Sequence, residues 1–595
     1  MTASIHVGKS PRESPENLME AIVTKIITQQ TSRHRRLRSA IALGLALSVA
    51  AVTACAQSPA ASERVSAAGD GPEFPFLDAG DGVTIRVGDD WSLPADAGVA
   101  ANSGFFSEEA SPADQVHTRS VDVSWGQIQP EPGALDRDSS GTAQDMSFAP
   151  LDEQLEGQES FWMRVFASGE EWAPEWVVDE CEVSTYGPDY DGQRHLPIWN
   201  ECVWGHLMDT YQSLFIDSGL AADERLAFVY VPGAFTWAEF DYEMITAAVD
   251  EGDLDLETYL SWYDHAWTEL ADMFGDNANK LVFTGEDYPW GPFGADDDLL
   301  AKQAVDAGLG IRTGITELSN FHLSEAPAYG SHILPNGHMT LDDTLPVHDG
   351  SRIVATENEC FNACGYETDE PYYAVRQSNL KALQLHTNWI YVVPEPSYFA
   401  EYPKLWDWVR LSMGHTAQNS PDAWAALRDA EDMYWAGDEA GPFTGEWQTR
   451  PWVRNLERWL VQVDEPGSVA HRSDADVHSE VFEPDNGTAH EGLVTDAANG
   501  DTGFVFELDA RFAAASAEAH PVVKVTYLDD GAGAFTVDVG GWSSPEIKRT
   551  GDGQWKTATV ALPDGAFGEG DTSFRVSIGD GADDLTVRFV RVVKA

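Results

Sequence analysis

Eight short apolar segments, each followed by helix-like or loop sequence, constrain the fold of this chain more than any other feature. One intervening segment places Val203, Leu207, Tyr211 and Leu214 on a single face and ends at Gly219, as an amphipathic helix does. Eight alternating strand and helix units predict an α/β fold, a (β/α)8 TIM barrel over residues 80–455. The predicted barrel strands are 83–87, 119–125, 161–166, 226–231, 280–284, 311–315, 352–355 and 389–393.

From residue 456 the sequence changes to alternating segments separated by Gly, Asp and Pro turns. This pattern predicts an antiparallel, jelly-roll-like β-sandwich domain over 456–595. The sandwich either braces the barrel or binds glycan through exposed aromatic residues such as Trp542 and Trp555. Two folded units are also expected from a length of 595 residues, which exceeds what one core organises.

The N-terminal region has the pattern of an export signal. Four arginines between 33 and 38 precede an uncharged stretch, 39–54. This stretch is shorter than a typical membrane-spanning helix and fits the apolar core of a signal peptide. The stretch ends in Val-Thr-Ala-Cys at 52–55, which resembles the lipobox of bacterial lipoproteins. This resemblance implies a signal segment at 1–54, lipidation of Cys55, a tether at 55–79 and a cell-surface lipoprotein held to the membrane only by its lipid. An ordinary secretory signal with a chance cysteine is the alternative.

The remaining cysteines fit an exported protein. Cys181, Cys202, Cys360 and Cys364 are even in number, which predicts disulfides. Sequence proximity favours Cys181 with Cys202 and Cys360 with Cys364, although three pairings are possible. A zinc site is the alternative, but the chain has no Cys-x2-Cys pair or clustered histidines. We therefore predict no metal and no cofactor.

The charge balance bears on the partners. The chain carries 36 basic and 99 acidic side chains, a formal net charge of −63. This field repels nucleic acid and anionic surfaces. The 21 tryptophans are compatible both with large cores and with surfaces that stack on sugar rings.

Carboxylates follow each of the last five predicted barrel strands. Active sites of such barrels lie at the carboxyl ends of the strands, and paired carboxylates beside aromatic rings are what glycosidic bond hydrolysis requires. A carbohydrate partner is therefore predicted. The predicted substrate-binding residues at this rim are Trp125, Trp237, Glu286, Asp287, Tyr288, Trp290, Glu317, Asn358, Trp389 and Glu395.

Two segments resemble barrel glycoside hydrolases of the family 42 β-galactosidase type. They are Trp-Gly-Gln-Ile-Gln-Pro-Glu-Pro-Gly at 125–133, where Gln129 replaces the family's Glu, and Trp-Ala-Pro-Glu-Trp at 172–176. The resemblance implies an acid/base Glu after strand four, Glu239, and a nucleophile after strand seven, Glu357. Ala238 stands where that clan has Asn, and Glu359 competes with Glu357. Glu286 and Glu317 are possible substitutes.

Two hypotheses for the function follow. The first is a retaining glycoside hydrolase, in which the two carboxyl groups lie about 5–5.5 Å apart; about 6.5–9.5 Å would indicate inversion. The second is a non-catalytic glycan-binding lipoprotein on the same scaffold. A metal-dependent hydrolase or lyase is a weaker third interpretation. Arg119 and Arg164 lie within apolar strands and are expected to pair with carboxylates.

Overall fold

A computed structural model describes most of the chain beyond residue 81. The described ranges are 82–108, 118–143, 146–188, 192–232, 243–284, 299–315, 328–358, 371–392, 397–430, 454–469, 489–490, 492–517, 519–567 and 572–594.

Eight parallel strands close into a barrel, so the predicted TIM-barrel fold is confirmed. Seven of them match predicted strands to within a few residues. Each strand pairs in parallel with both neighbours. In chain order they are Gly104–Ser107, Thr118–Ser124, Ser160–Phe166, Leu226–Tyr230, Leu281–Thr284, Gly310–Ile315, Val354–Asn358 and Trp389–Val392.

Helices pack against the outside of the barrel. The predicted amphipathic helix is present as Glu201–Tyr211, continued by a π-helical turn, Gln212–Asp217, and followed by Gly219 at φ 79°. The Asn200 side chain caps its first turn by accepting hydrogen bonds from the backbone N–H groups of Cys202 and Val203. The other helices of the described barrel region are Trp125–Ile128, Leu151–Leu155, Glu175–Cys181, Glu243–Glu251, Leu256–Phe274, Leu299–Asp306, Pro371–Gln384 and Pro403–Ser412, with 3-10 turns at Leu220–Ala222, Gly275–Lys280 and Pro346–His348.

The alternation of side chains along the strands separates two cores. On the second barrel strand, Val121 and Val123 join the core between barrel and helices. Inward-facing residues fill the barrel itself, and this inner core is strongly aromatic. It contains Phe106, Trp162, Phe228, Tyr230, Val282, Ile353, Ala355, Trp389 and Tyr391.

The predicted first barrel strand was wrong. Val83–Val87 pairs antiparallel with Gln554–Ala561 at the edge of the C-terminal sandwich, and Gly104–Ser107 is the first barrel strand. The physical reason lies in the pattern of the segment, since Thr84 and Arg86 alternate with apolar residues and Val87 is 66% exposed. Alternation is typical of antiparallel strands, whereas parallel barrel strands are covered on both faces.

The C-terminal region is a sandwich of two antiparallel sheets around a separate hydrophobic core, as predicted. Strand Asp422–Ala426 already belongs to it, so the sandwich begins before residue 456 in the chain. One sheet contains Val83–Val87, Asp422–Ala426, Leu456–Arg458, Leu493–Val494, Val522–Asp529, Gln554–Ala561 and Thr586–Val593. The other contains Leu460–Val463, Gly503–Leu508, Ala534–Val539, Trp542–Ser543, Ile547–Lys548 and Ser573–Ile578. Helix Ala510–Ser516 follows one of these strands, and short two-stranded pairs are Gly141–Ala143 with Met146–Phe148, Ser331–Ile333 with Met339–Leu341, and Asp429–Ala430 with Ala489–His490.

Buried charges join the two units at a surface that we call the domain junction. Asp89 accepts hydrogen bonds from Arg588 of the sandwich at 2.8 Å and from Tyr372 of a barrel helix at 2.6 Å. Asp422 accepts two hydrogen bonds from Arg591, at 2.7 and 2.9 Å, and one from the indole of Trp408 at 2.8 Å. The domain junction is defined by these residues together with Asp90 and Lys524, whose ion pair measures 3.0 Å.

Within the described ranges, no helix has the length and apolar character needed to cross a membrane.

Candidate functional site

The carboxyl ends of the barrel strands carry a group of charged side chains that face into the barrel. We call this group the barrel-mouth cluster. On the second and third strands, Asp122 and Arg164 are register partners, so neighbouring strands bring their side chains together. The cluster consists of Glu108, Asp122, Arg164, Tyr230, Arg312 and Glu357.

Arg164 is the centre of the first half of the cluster. Its Nε and Nη2 atoms donate to the two oxygens of Asp122, each at 2.9 Å, and its Nη1 donates to Glu108 at 2.5 Å. The guanidinium lies 4.9 Å from the ring centroid of Trp162 and 5.1 Å from that of Phe166. These contacts hold the arginine side chain in one orientation.

The three charged groups differ in their access to solvent. The side chain of Arg164 is only 2% exposed, whereas that of Asp122 is 18% and that of Glu108 is 34% exposed. Burial opposes the charge on Arg164, but the neighbouring Asp122 and Glu108 carboxylates outweigh it and raise the arginine pKa well above its usual value. Arg164 therefore stays charged. The guanidinium is buried, and the two carboxylates that contact it are partly exposed to solvent.

Arg312 and Glu357 form the second half. Arg312 Nη1 lies 3.0 Å from a carboxylate oxygen of Glu357, and Arg312 Nε donates to the Tyr230 hydroxyl at 3.2 Å. Both charged side chains are largely buried, and the arginine also lies over the Tyr230 ring at 5.5 Å. A guanidinium at this distance forms a charge-assisted contact with the carboxylate and restricts its orientation.

Tyr230 connects the two halves. Its ring packs against Trp162 with centroids 4.6 Å apart, and Trp162 lies beneath Arg164. Tyr230 also contributes to the raised pKa of Arg164. The cluster thus combines two arginines, three carboxylates and a phenol at the end of the barrel where catalytic groups of this fold lie.

Of the predicted site residues, Glu357 lies at the carboxyl end of the seventh barrel strand, Val354–Asn358, as expected. The predicted partner for Arg164 is also present. The following predicted residues, or in the case of Asn358 its side chain, lie outside the described residues and stay predictions: Glu239, Trp237, Glu286, Asp287, Tyr288, Trp290, Glu317, Asn358, Glu395, Cys55, Cys360 and Cys364.

Two predicted sugar-stacking residues lie in cores instead. Trp125 is 0% exposed within the layer between barrel and helices, and its indole donates to Gln129 at 2.9 Å. Trp389 begins its strand, so it fills the barrel interior at the amino end, opposite the mouth. Both rings are buried in these cores, and a contact of either with substrate stays a prediction.

Sequence reasoning missed Glu108, Asp122, Tyr230 and Arg312. Glu108 directly follows a strand that the apolar pattern did not reveal. Asp122 was detectable, because a charged residue at an inward position needs a partner and Arg164 occupies the adjacent strand. Arg312 lies within a predicted strand, yet pairing it with Glu357 requires the register between strands six and seven.

The predicted disulfide between Cys181 and Cys202 is present. It joins helices Glu175–Cys181 and Glu201–Tyr211, which follow the third barrel strand. Among the described residues, one group has metal-ligand spacing, namely these two cysteines with His206. Because both sulfurs are in the disulfide, neither is available as a thiolate ligand.

No family model matches the chain, and no curated protein matches it. Among solved structures, the chain is similar to a glycoside hydrolase family 44 endoglucanase from Clostridium acetobutylium, with 8% sequence identity and a TM-score of 0.29. The match covers 86% of this chain and 100% of that one. Likeness at this level carries no argument about chemistry, and the family 42 resemblance stays a prediction.

Proposed function

We propose that this chain is a glycoside hydrolase that cleaves an extracellular oligo- or polysaccharide with retention, using Glu357 as nucleophile and Glu239 as acid/base. One observation carries the proposal. Glu357 projects into the barrel at the carboxyl end of the seventh strand, where Arg312 lies 3.0 Å from its carboxylate. A largely buried carboxylate beside an arginine at the barrel mouth is suited to attack an electrophilic carbon.

The proposed reaction has two steps. The Glu357 carboxylate attacks the anomeric carbon while Glu239 protonates the departing glycosidic oxygen, which gives a covalent glycosyl ester and a free alcohol. Glu239 then removes a proton from water, and the water oxygen displaces Glu357 from the anomeric carbon. The product has the configuration of the substrate. Because residues 233–242 lie outside the described ranges, the role of Glu239 rests on the sequence resemblance.

Hydrolysis of a panel of aryl glycosides and neutral polysaccharides tests this proposal. Wild type is compared with Glu239→Gln, Glu357→Gln and the control Glu153→Gln, whose side chain is exposed on the outer helix Leu151–Leu155. We expect turnover by wild type and control, and a loss of about 1,000-fold or more in the other two. The anomer formed first, read by proton NMR, reports retention or inversion.

The same panel separates the alternative function. A wild-type protein that binds glycan but hydrolyses none of the panel is a glycan-binding protein, and the hydrolase proposal is then rejected. If activity survives in Glu357→Gln, the nucleophile is another carboxylate. The candidates to substitute next are then Glu359, Glu286 and Glu317.

We further propose that the chain is exported and anchored through Cys55. The Cys181–Cys202 disulfide supports this, because such bonds persist in oxidising compartments. Metabolic labelling with palmitate is expected to mark wild type and to leave Cys55→Ser unlabelled. Equal labelling of both would reject the anchor.

A further inference from the structure

We infer that Thr284 is a substrate-binding residue, whose buried hydroxyl forms a hydrogen bond with one hydroxyl group of a neutral sugar held in the barrel mouth. The inference deepens the proposed function and rests on it for the position of the sugar. It starts from a group that the barrel-mouth cluster does not use, a buried hydroxyl with no hydrogen-bond partner among the described residues.

Thr284 is the last residue of the fifth barrel strand, Leu281–Thr284, and two observations show that its side chain points into the barrel. Val282, two residues earlier, belongs to the inner core, and side chains alternate along a strand. Thr284 is also the register partner of Arg312 on the sixth strand, and Arg312 contacts Glu357 inside the mouth. Thr284 therefore lies beside Arg312, at the end of the barrel where substrates of this fold bind.

The hydroxyl of Thr284 is buried and unpaired. The residue is only 2% exposed, and its Oγ1 atom makes no hydrogen bond to any residue that the structure describes. A buried polar group without a partner lowers the stability of the folded protein, and valine has the same shape without this penalty. The hydroxyl therefore contributes nothing to the free protein that valine would not, whereas a ligand in the mouth supplies the partner that the protein lacks.

The chemistry of the hydroxyl indicates the class of ligand. A threonine hydroxyl both donates and accepts hydrogen bonds, and the alcohol groups of a sugar have the same two capacities. Sugars with carboxylate or sulfate groups are disfavoured by the overall charge of −63. Because Thr284 is shielded from bulk water, a hydrogen bond formed there is stronger than one at the surface. A site of this kind discriminates against a sugar that lacks the matching hydroxyl.

Thr356 on the seventh barrel strand provides a matched control. It is 0% exposed, and its Oγ1 atom likewise has no hydrogen bond within the described part of the chain. Its register partner Ile390 belongs to the core between barrel and helices, so Thr356 points away from the mouth. The two threonines thus share burial and an unpaired hydroxyl, and they differ in the side of the barrel wall that they face.

Removal of each hydroxyl tests the inference. The variants Thr284→Val, Thr284→Ser and Thr356→Val are compared with wild type in kcat/KM and in melting temperature. The probes are 4-nitrophenyl β-glucoside and β-galactoside and their 2-, 3-, 4- and 6-deoxy analogues. Dissociation constants for the same probes are measured by calorimetry with each threonine substitution placed in the Glu357→Gln background, where no turnover is needed.

We expect Thr284→Val to lower kcat/KM for the parent glycosides about 10-fold, the size of one lost hydrogen bond. Its melting temperature should equal or exceed that of wild type, because an unpaired buried hydroxyl is removed. Thr284→Ser keeps the hydroxyl and should stay within about 3-fold of wild type, and Thr356→Val should match wild type. The loss in Thr284→Val should vanish for the one deoxy analogue that lacks the contacted hydroxyl, because neither partner is then present.

Two results would overturn the inference. One is a Thr284→Val variant whose kcat/KM equals that of wild type for every probe. The other is a loss of the same size for every probe, with unchanged ratios between parent and deoxy analogues, which would mean that the hydroxyl serves the fold. A melting temperature several degrees below that of Thr356→Val would accompany this second result.

The binding measurements separate this inference from the proposed function. If wild type hydrolyses none of the probes but Thr284→Val weakens binding of the parent and not of one deoxy analogue, the hydrolase proposal fails and the inference stands. If hydrolysis depends on Glu357 while Thr284→Val keeps every deoxy ratio, the hydrolase stands and the inference fails. Absence of both hydrolysis and binding overturns both.

Discussion

The barrel mouth and the domain junction both contain carboxylates paired with arginine, but they differ in access to solvent. At the junction, Asp89 and Asp422 are almost completely buried, with arginine, tyrosine and tryptophan donors around them. At the mouth, Asp122, Glu108 and Glu357 keep part of their surface open. Fully buried ion pairs specify how the two units fit together. Partly exposed charged groups can still form hydrogen bonds to a ligand.

The first prediction sharpens this comparison at the mouth. Glu357→Gln should lower kcat by about 1,000-fold or more while leaving the melting temperature within a few degrees of wild type, because the amide retains the volume but not the nucleophile. Activity assays and thermal denaturation on the same preparations check it. A large loss of stability with little loss of turnover would place Glu357 among the structural charges instead.

Asp422→Ala tests the junction in the opposite way. The substitution leaves the guanidinium of Arg591 and the indole of Trp408 buried without their acceptor, which should cost about 3–5 kcal/mol of unfolding free energy. Denaturant titration measures this loss, and turnover of the folded variant at low temperature should match wild type. The control is Asp407→Ala, which breaks an exposed pair with Arg410 on the same helix as Trp408 and should cost below about 1 kcal/mol.

Stability at acid pH should depend on the ionised Asp90 carboxylate at the domain junction. Burial raises the pKa of Asp90, but its contacts with Lys524 and Ser92 outweigh burial and lower it from 3.8 to about 2. A lowered folded-state pKa adds stability that is full above pH 4 and disappears as the pH falls through about 2, a contribution of about 2 kcal/mol. Melting temperatures recorded between pH 6 and pH 2 should fall less steeply below pH 4 in Asp90→Asn than in wild type. Equal slopes would contradict this role.

The smallest expected effect concerns Arg312, which contacts both Glu357 and Tyr230 in the barrel-mouth cluster. Arg312→Lys keeps a positive charge near Glu357 but cannot hold both the carboxylate and the Tyr230 hydroxyl with one planar group. We expect kcat/KM to fall about 10-fold and the loss in Arg312→Gln to be larger. An unchanged kcat/KM in Arg312→Gln would mean that Arg312 only fills space.

The sequence predicted the barrel, the sandwich, one disulfide and the position of Glu357, because each depends on local periodicity or on order along the chain. Strand Val83–Val87 was misplaced, since a five-residue apolar pattern does not specify which distant sheet it joins. The contact of Glu108 with Arg164 and the pairing of Arg312 with Glu357 were not predicted, because both depend on the register between strands. That register is determined by how the barrel closes, which no local pattern contains.

The strand Val83–Val87 has a consequence for how the protein is made. Its partner Val560 lies 477 residues after Val83 (560 minus 83). The strand is therefore synthesised early, and its pairing partner is synthesised only near the end of the chain. During this interval it is an unpaired edge with exposed valine and isoleucine side chains, the kind of segment that recruits chaperones or aggregates. Completion of the sandwich is therefore a late event, and the yield of active protein will depend on how the cell shields this segment until its partner arrives.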